Sequence, residues 1–309
     1  MKASEASSPA RSGADPRSSP SKPRTPDRFR LAGASAKLDP RIHAVRKDVA
    51  DIALADRVFA PHYAKPLMHG CLGATVPMRS AASHDATAVS ELLRGEGFAV
   101  VDASGDWAWG YSVHDNYVGY VPVAAIGPLV AATHIVSSPA ALVFAGASIK
   151  APVVERLPMG ARLAVAASES AFHQVENGFV HDRHLSPLDR IESDHVAIAA
   201  RLTGVPYRWG GRSGDGIDCS GLVQLALAFA GIAAPRDSDQ QQALGAPIER
   251  HELRRGDFVF LPGHVGIMAD EIHLLHANAF WMRVVTEPLA DVLARQPEGH
   301  GITALRRLS

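Results

Sequence analysis

The segment Gly216-Ile217-Asp218-Cys219-Ser220-Gly221-Leu222-Val223 places one of the chain's two cysteines between a glycine-rich loop and a long uncharged run. Gly210, Gly211, Gly214 and Gly216 make the loop, and no charged side chain occurs from Leu222 through Ala234. That run is apolar nearly all round, as a buried helix requires. Cys219 then stands at the helix N-terminus, where unpaired N–H groups and the dipole favour a thiolate. This is the placement a cysteine nucleophile needs near neutral pH. A lone cysteine is otherwise a small buried hydrophobe, and Cys71 reads that way.

A base is offered further along. Asp257–Leu261 reads as a strand, Pro262-Gly263 as a turn, and 264–268 with 272–277 as a hairpin turning about Asp270. Pairing symmetric about Asp270 sets His264 directly opposite His276, with Cβ atoms about 4.5–5.5 Å apart. One imidazole then orients the other, the base-and-orienter half of a nucleophilic triad. His273 falls on the other face, and a one-residue slip would undo the pairing. Cys219, His264 and His276 are also legitimate zinc ligands, but they lack the close-spaced pair of structural zinc sites. The expectation is therefore a triad with no metal and no cofactor.

Around this core the chain must supply positioning elements. Its 309 residues suit two or three small domains. Apolar residues make 47% and the formal net charge is −1. The balance excludes a globally basic nucleic-acid binder. Two cysteines exclude a disulfide scaffold, and no apolar run approaches the roughly 18 residues of a membrane span. Neither nucleic acid nor membrane is expected as a partner.

Residues 1–37, rich in Ser and Pro, read as a disordered tail without an apolar signal region. Residues 38–59 read as a helical lead-in: Asp39-Pro40 opens it, and Ile42, Val45, Val49, Ile52 and Val58 follow a helical period. From 60 to 128, short strands such as Gly97–Val101, Trp107–Tyr111 and Asn116–Pro122 alternate with turns, which suggests a small SH3-like β-barrel. Residues 129–187 repeat that texture more faintly and read as a second such barrel. Asp189 to Gly204 reads as a helix opening a last domain, 188–309.

Pro206-Tyr207-Arg208-Trp209-Gly210-Gly211, Asp218-Cys219-Ser220-Gly221-Leu222-Val223, Pro235-Arg236-Asp237-Ser238, Arg255-Gly256-Asp257-Phe258-Val259-Phe260, His264-Val265-Gly266-Ile267 and His276-Ala277 occur in this order. Together they resemble the NlpC-type papain-like cysteine peptidases of bacterial cell-wall turnover, and the likeness covers residues 189–309. The two β-modules resemble the bacterial SH3-like domains that precede such catalytic domains. The resemblance implies an α+β fold: a papain-like cysteine peptidase domain preceded by two small SH3-like β-barrels. It implies Cys219 as nucleophile, His264 as general base and acid, His276 as orienter, and Tyr207 near the oxyanion. Asp218 and Ser220 match positions that receive a free substrate ammonium, although capping of the helix after Cys219 is an equally natural role. Tyr117 matches a first-barrel tyrosine that walls off the cleft, or is an ordinary barrel aromatic. The acidic partner expected just ahead of Leu92 is missing: Thr87 stands there, with Asp85 and Glu91 nearby.

The implied substrate is a peptidoglycan-derived peptide with a free N-terminal L-Ala, cut at the γ-D-glutamyl–diamino acid bond to release L-Ala-γ-D-Glu. With no signal segment visible, the expected setting is cytoplasmic peptide recycling. The rivals are an exported endopeptidase acting on intact wall, another acyl transfer (amidase or transpeptidase) on the same fold, and a binding module with a decayed site.

Overall fold

The computed structural model describes residues 36–308, so the expected tail of 1–37 lies outside the described residues except at its last two positions. The helical lead-in is corrected. Among residues 38–59 the structure has a strand, Val49–Asp51, and a single 3-10 turn, Ile52–Leu54, capped by the Asp51 side chain. Every apolar residue that suggested a helix there (Ile42, Val45, Val49, Ile52, Val58) is β-branched, which disfavours helix and favours extended chain. Tertiary contacts decide the matter: Val49 and Ala44 pack on Val101 and Trp109 of the following β-module.

That module is one seven-stranded antiparallel sheet. Its spatial order is Ala88–Leu93, Thr75–Arg79, Val118–Pro122, Trp107–Ser112, Gly97–Ser104, Leu67–Cys71, Ile126–Gly127. Cys71, Met78, Leu92, Phe98 and Val121 fill its core, so Cys71 is a packing residue. The next stretch builds a five-stranded and a three-stranded antiparallel sheet around Val136, Ala141, Val143, Leu157 and Val180.

The helix expected over Asp189 to Gly204 is shorter than the apolar pattern suggested. This first helix of the last domain spans His195–Ala200, because the Asp194 side chain caps it at the Ala197 N–H. A six-stranded antiparallel sheet follows, in the order Ala246–Pro247, Ala304–Arg307, Phe258–Leu261, His264–Met268, His273–Asn278, Arg283–Pro288. Its three central strands are buried on both faces. Phe258, Phe260, Val265, Ile267, Leu275 and Ala277 pack on the helix Cys219–Phe229, while Val259, Leu261, Met268 and Leu274 pack on Leu289 and Val292 of the helix Leu289–Ala294. Helices packed against an antiparallel sheet, rather than alternating with parallel strands, make the α+β arrangement the resemblance implied. Among the described residues no helix is long and apolar enough to cross a membrane.

A buried ionic network joins the first β-module to this domain. Arg212, 1% exposed, donates to both carboxylate oxygens of Glu96 (3.0 and 3.2 Å), to the Glu91 carbonyl (2.8 Å) and to Gln224 Oε1 (2.6 Å). Gln224, on the Cys219–Phe229 helix, donates in turn to Asp115 (2.8 Å), whose other oxygen receives the Tyr117 N–H (3.0 Å). A charge buried this deeply persists only when paired. The pairing thereby locks the position of Tyr117 relative to the helix that carries Cys219.

Candidate active site

Cys219 is the first residue of its helix, as its loop and the uncharged run require. Asp218 caps that helix by accepting the Gly221 N–H at 2.8 Å. Gly221 is demanded by the loop crossing above it: a Cβ there would sit 2.4 Å from the Gly211 carbonyl oxygen. The sulfur is buried, and burial together with the Asp218 carboxylate pushes the thiol up to about 12. The backbone N–H groups of Val265 and Ser220 act in the opposite sense. Burial and the Asp218 carboxylate thus oppose the helix N-terminus at this sulfur.

His264 is the base that the sequence offers for this thiol. The strand His264–Met268 packs against the helix that begins at Cys219. His264 Nε2 meets His276 Nδ1 at 2.8 Å, with ring centroids 5.0 Å apart. The route to this contact differs from the expected one. Ile267 pairs with Leu275 and Met268 with Leu274, so the turn centres on Glu271. The Asp270 carboxylate accepts the N–H groups of Ile272 and His273, both at 2.7 Å, and pulls the turn one residue along. A shift of the centre by one residue keeps both histidines on the same face but makes them diagonal neighbours, still within reach of aromatic rings.

The sequence reading missed Glu287. Its Oε1 lies 3.0 Å from His276 Nε2, and Arg295 (2.6 Å) and Trp281 Nε1 (3.1 Å) hold the same carboxylate. Burial would raise its pKa, but the hydrogen bonds from Arg295, Trp281 and His276 outweigh that and keep it below the ordinary carboxylate value. An ionised carboxylate only accepts, so His276 carries its proton on Nε2 and accepts at Nδ1 from the His264 Nε2–H. His264 Nδ1 is left as the bare ring nitrogen. Burial and then His276 hold the His264 pKa down to about 3, so the ring is neutral at neutral pH. Arg283–Pro288 pairs with His273–Asn278, which sets Glu287 diagonal to His276 on its own face, a register that no local pattern announces.

Beside Cys219 lies a cavity of about 320 Å³, at the lower end of the roughly 300–1,000 Å³ usual for ligand pockets. Tyr207, Trp209, Asp218, Ser220, Tyr117 and Asp237 are among its walls. Burial raises the Tyr207 hydroxyl's pKa, with Cys219 the next contributor, so a protonated hydroxyl stands near the sulfur. Tyr117 reaches in from the first β-module and donates to Asp237 Oδ2 at 3.0 Å.

Asp218 and Ser220 line the cavity, but their polar atoms are already engaged. The buried Arg236 donates to Asp218 Oδ1 (2.9 Å), Asp218 Oδ2 (2.5 Å) and Ser220 Oγ (2.9 Å), and the Gly210 N–H takes Oδ2 at 2.9 Å. These contacts show the capping and loop-fixing role of Asp218 and Ser220, which was the alternative reading of the two residues. Glu91 does not supply the acid either, being buried against Arg208 and the Arg212 N–H. Asp237 and Asp239 also face the cavity, and Asp237 leaves its helix uncapped by its side chain. Asp237 was quoted in the sequence only as part of a motif.

Residues 204–296 match the NlpC/P60 family, and residues 78–126 match the bacterial dipeptidyl-peptidase Sh3 domain. Among curated relatives, the gamma-D-glutamyl-L-lysine dipeptidyl-peptidase of Bacillus cereus is 27% identical over 202 residues, 55% of this chain and 59% of that protein. Dipeptidyl-peptidase 6 of Lysinibacillus sphaericus is 35% identical over 118 residues, 37% of this chain and 43% of that protein. The chain thus spans about half the length of these relatives. The probable endopeptidase NlpC of Escherichia coli is 33% identical over 116 residues, 33% of this chain and 75% of that protein. The crystal structure of an NlpC/P60 family protein from Bacillus cereus shares the fold, with a TM-score of 0.66 at 18% identity over 78% of this chain and 99% of that one. The chain belongs to the NlpC/P60 family of cysteine peptidases, with a bacterial dipeptidyl-peptidase Sh3 domain ahead of its catalytic domain.

Proposed function

We propose that this chain hydrolyses the γ-D-glutamyl–diamino acid bond of peptidoglycan stem peptides that carry a free N-terminal L-Ala, releasing L-Ala-γ-D-Glu. The observation that carries the reading is the charge along the Asp237 and Asp239 wall of the cavity beside Cys219. Asp39, Asp237 and Asp239 gather there around the single cation Arg41, while Asp218 is neutralised by Arg236. Three carboxylates against one guanidinium favour an ammonium and repel an anion. Asp237 Oδ2 is held by Tyr117 and Arg41, and among the described residues its Oδ1 accepts no hydrogen bond.

In this reading Cys219 Sγ attacks the γ-carbonyl carbon as its proton passes to His264 Nδ1. The oxyanion forms near the Tyr207 hydroxyl and the first-turn N–H groups of the helix, preorganised donors for developing charge. Collapse breaks the C–N bond, His264 returns the proton to the leaving amine, and a thioester remains. Water deprotonated by His264 then cleaves the thioester and restores the thiol. Glu287 and His276 stabilise the imidazolium that forms in each half. A free-amine requirement suits released stem peptides, hence recycling in the cytoplasm, where a thiol stays reduced.

The test is turnover of L-Ala-γ-D-Glu-diaminopimelate, the corresponding L-lysine peptide and the N-acetylated form of each, with products identified by mass spectrometry. Release of L-Ala-γ-D-Glu from the free-amine peptides alone is expected. Equal cleavage of the acetylated peptides overturns the free-amine requirement and favours an endopeptidase.

A further inference from the structure

The wall of the cavity includes a residue that belongs to neither the catalytic domain nor the β-modules, Arg41. The segment around Asp39–Arg41 precedes the first β-module and crosses to the helix Ser238–Gln241. Arg41 uses all its donors there: Nε to Asp39 (3.1 Å), one terminal nitrogen to Asp237 (2.8 Å) and Asp239 (2.9 Å), the other to Asp39 (2.8 Å) and Asp239 (2.9 Å). Gln240 donates to Asp39 at 3.0 Å from the other side. Arg41 lines the same cavity as Cys219 and Tyr117.

We propose that Arg41 is a specificity-determining residue: its guanidinium is the end wall that admits a bare ammonium at Asp237 and excludes a peptide acylated at the same nitrogen. The inference rests on the free-amine reading above and names the group that enforces it. A guanidinium already satisfied by three carboxylates has no donor left for a substrate carboxylate, so Arg41 does not act as an anion receptor. What it does is spatial and orientational. It holds Asp237 by Oδ2, with Tyr117 on the same oxygen, and so leaves Oδ1 for the incoming ammonium. An acyl group on that ammonium would remove its charge and project into the space the Arg41 side chain occupies.

The segment does not depend on this side chain for its place. The Arg41 carbonyl accepts the Val118 N–H at 2.7 Å, and Ala44 and Val49 pack on Val101 and Trp109. Removing the guanidinium therefore opens the wall without releasing the strap.

The experiment compares kcat/KM for L-Ala-γ-D-Glu-L-Lys and its N-acetylated form in the wild type, Arg41→Ala and Arg41→Lys, with thermal unfolding recorded for each. The wild type is expected to prefer the free amine strongly. Arg41→Ala is expected to narrow the ratio by about tenfold or more, the scale of a steric discrimination by one pocket group. Arg41→Lys, which keeps a cation but not the fork, is expected to narrow it less. Should Arg41→Ala unfold below the assay temperature, Arg41→Gln carries the same test. A wild-type preference left unchanged by these variants overturns the role of Arg41 while the free-amine reading stands. A wild type that cleaves both peptides equally overturns both.

Discussion

His264 Nε2 and His276 Nδ1 stand 2.8 Å apart although the two residues are diagonal, not opposite, across their hairpin. The contact continues through His276 Nε2 to Glu287, so the orienting imidazole is itself oriented by a charge. Glu287 is in turn pinned by Arg295 and Trp281.

Glu287→Gln tests that chain. Gln keeps an acceptor for the His276 proton but loses the charge that stabilises the imidazolium. A fall in kcat/KM of about 10–100-fold is expected, the usual cost of losing an orienting partner behind a reactive histidine. Because Glu287 raises the pKa of both histidines, its removal moves the acidic limb of the pH profile further down, not up. A limb that moves toward neutral pH would contradict the arrangement.

Cys219 is expected to behave as a thiol at rest. With its pKa pushed up to about 12, alkylation of the free enzyme by iodoacetamide rises through the alkaline range and shows no plateau below pH 7. Mass spectrometry of the modified peptide separates it from Cys71, which is likewise pushed up to about 12 by burial. Cys219→Ala is expected to lower kcat by at least roughly a thousandfold, since the residual rate lacks the nucleophile.

Stability follows the buried histidine. His264 has an ordinary pKa of 6.5 and a folded value of about 3. The unfolded chain therefore binds the proton first as the pH falls, and the stability that His264 contributes is complete above 6.5 and lost between 6.5 and about 3. His276 and His114 are shifted in the same direction by burial. The melting temperature is expected to fall across the upper part of this window, before carboxylates titrate. His264→Gln is expected to flatten that slope.

Arg236→Ala strands Asp218 as a buried carboxylate without its cation. Breaking a buried pair from one side costs about 3–5 kcal/mol. Chemical denaturation should show a midpoint shift of that size, and Arg236→Lys, which cannot span both Asp218 oxygens and Ser220, should recover only part of it. No change in midpoint would show that Arg236 merely fills space.

Much of this was legible along the chain because it depends on local physics. A glycine-rich loop running into an uncharged helix placed Cys219 at a helix start. Strand alternation kept His264 and His276 on one face even though the turn centre was misjudged by a residue, since parity survives a shift that moves partners by two. The lead-in was misread because its apolar spacing fits a helix while its β-branched composition does not, and packing on Trp109 resolved the conflict. What only the tertiary structure decided are the contacts that join distant segments. Arg236 claimed Asp218 and Ser220, Asp237 met Tyr117 across domains, Arg41 joined the cavity wall, and Glu287 stood behind His276. Such pairings depend on where whole elements come to rest, which local propensity and hydrophobic period do not encode.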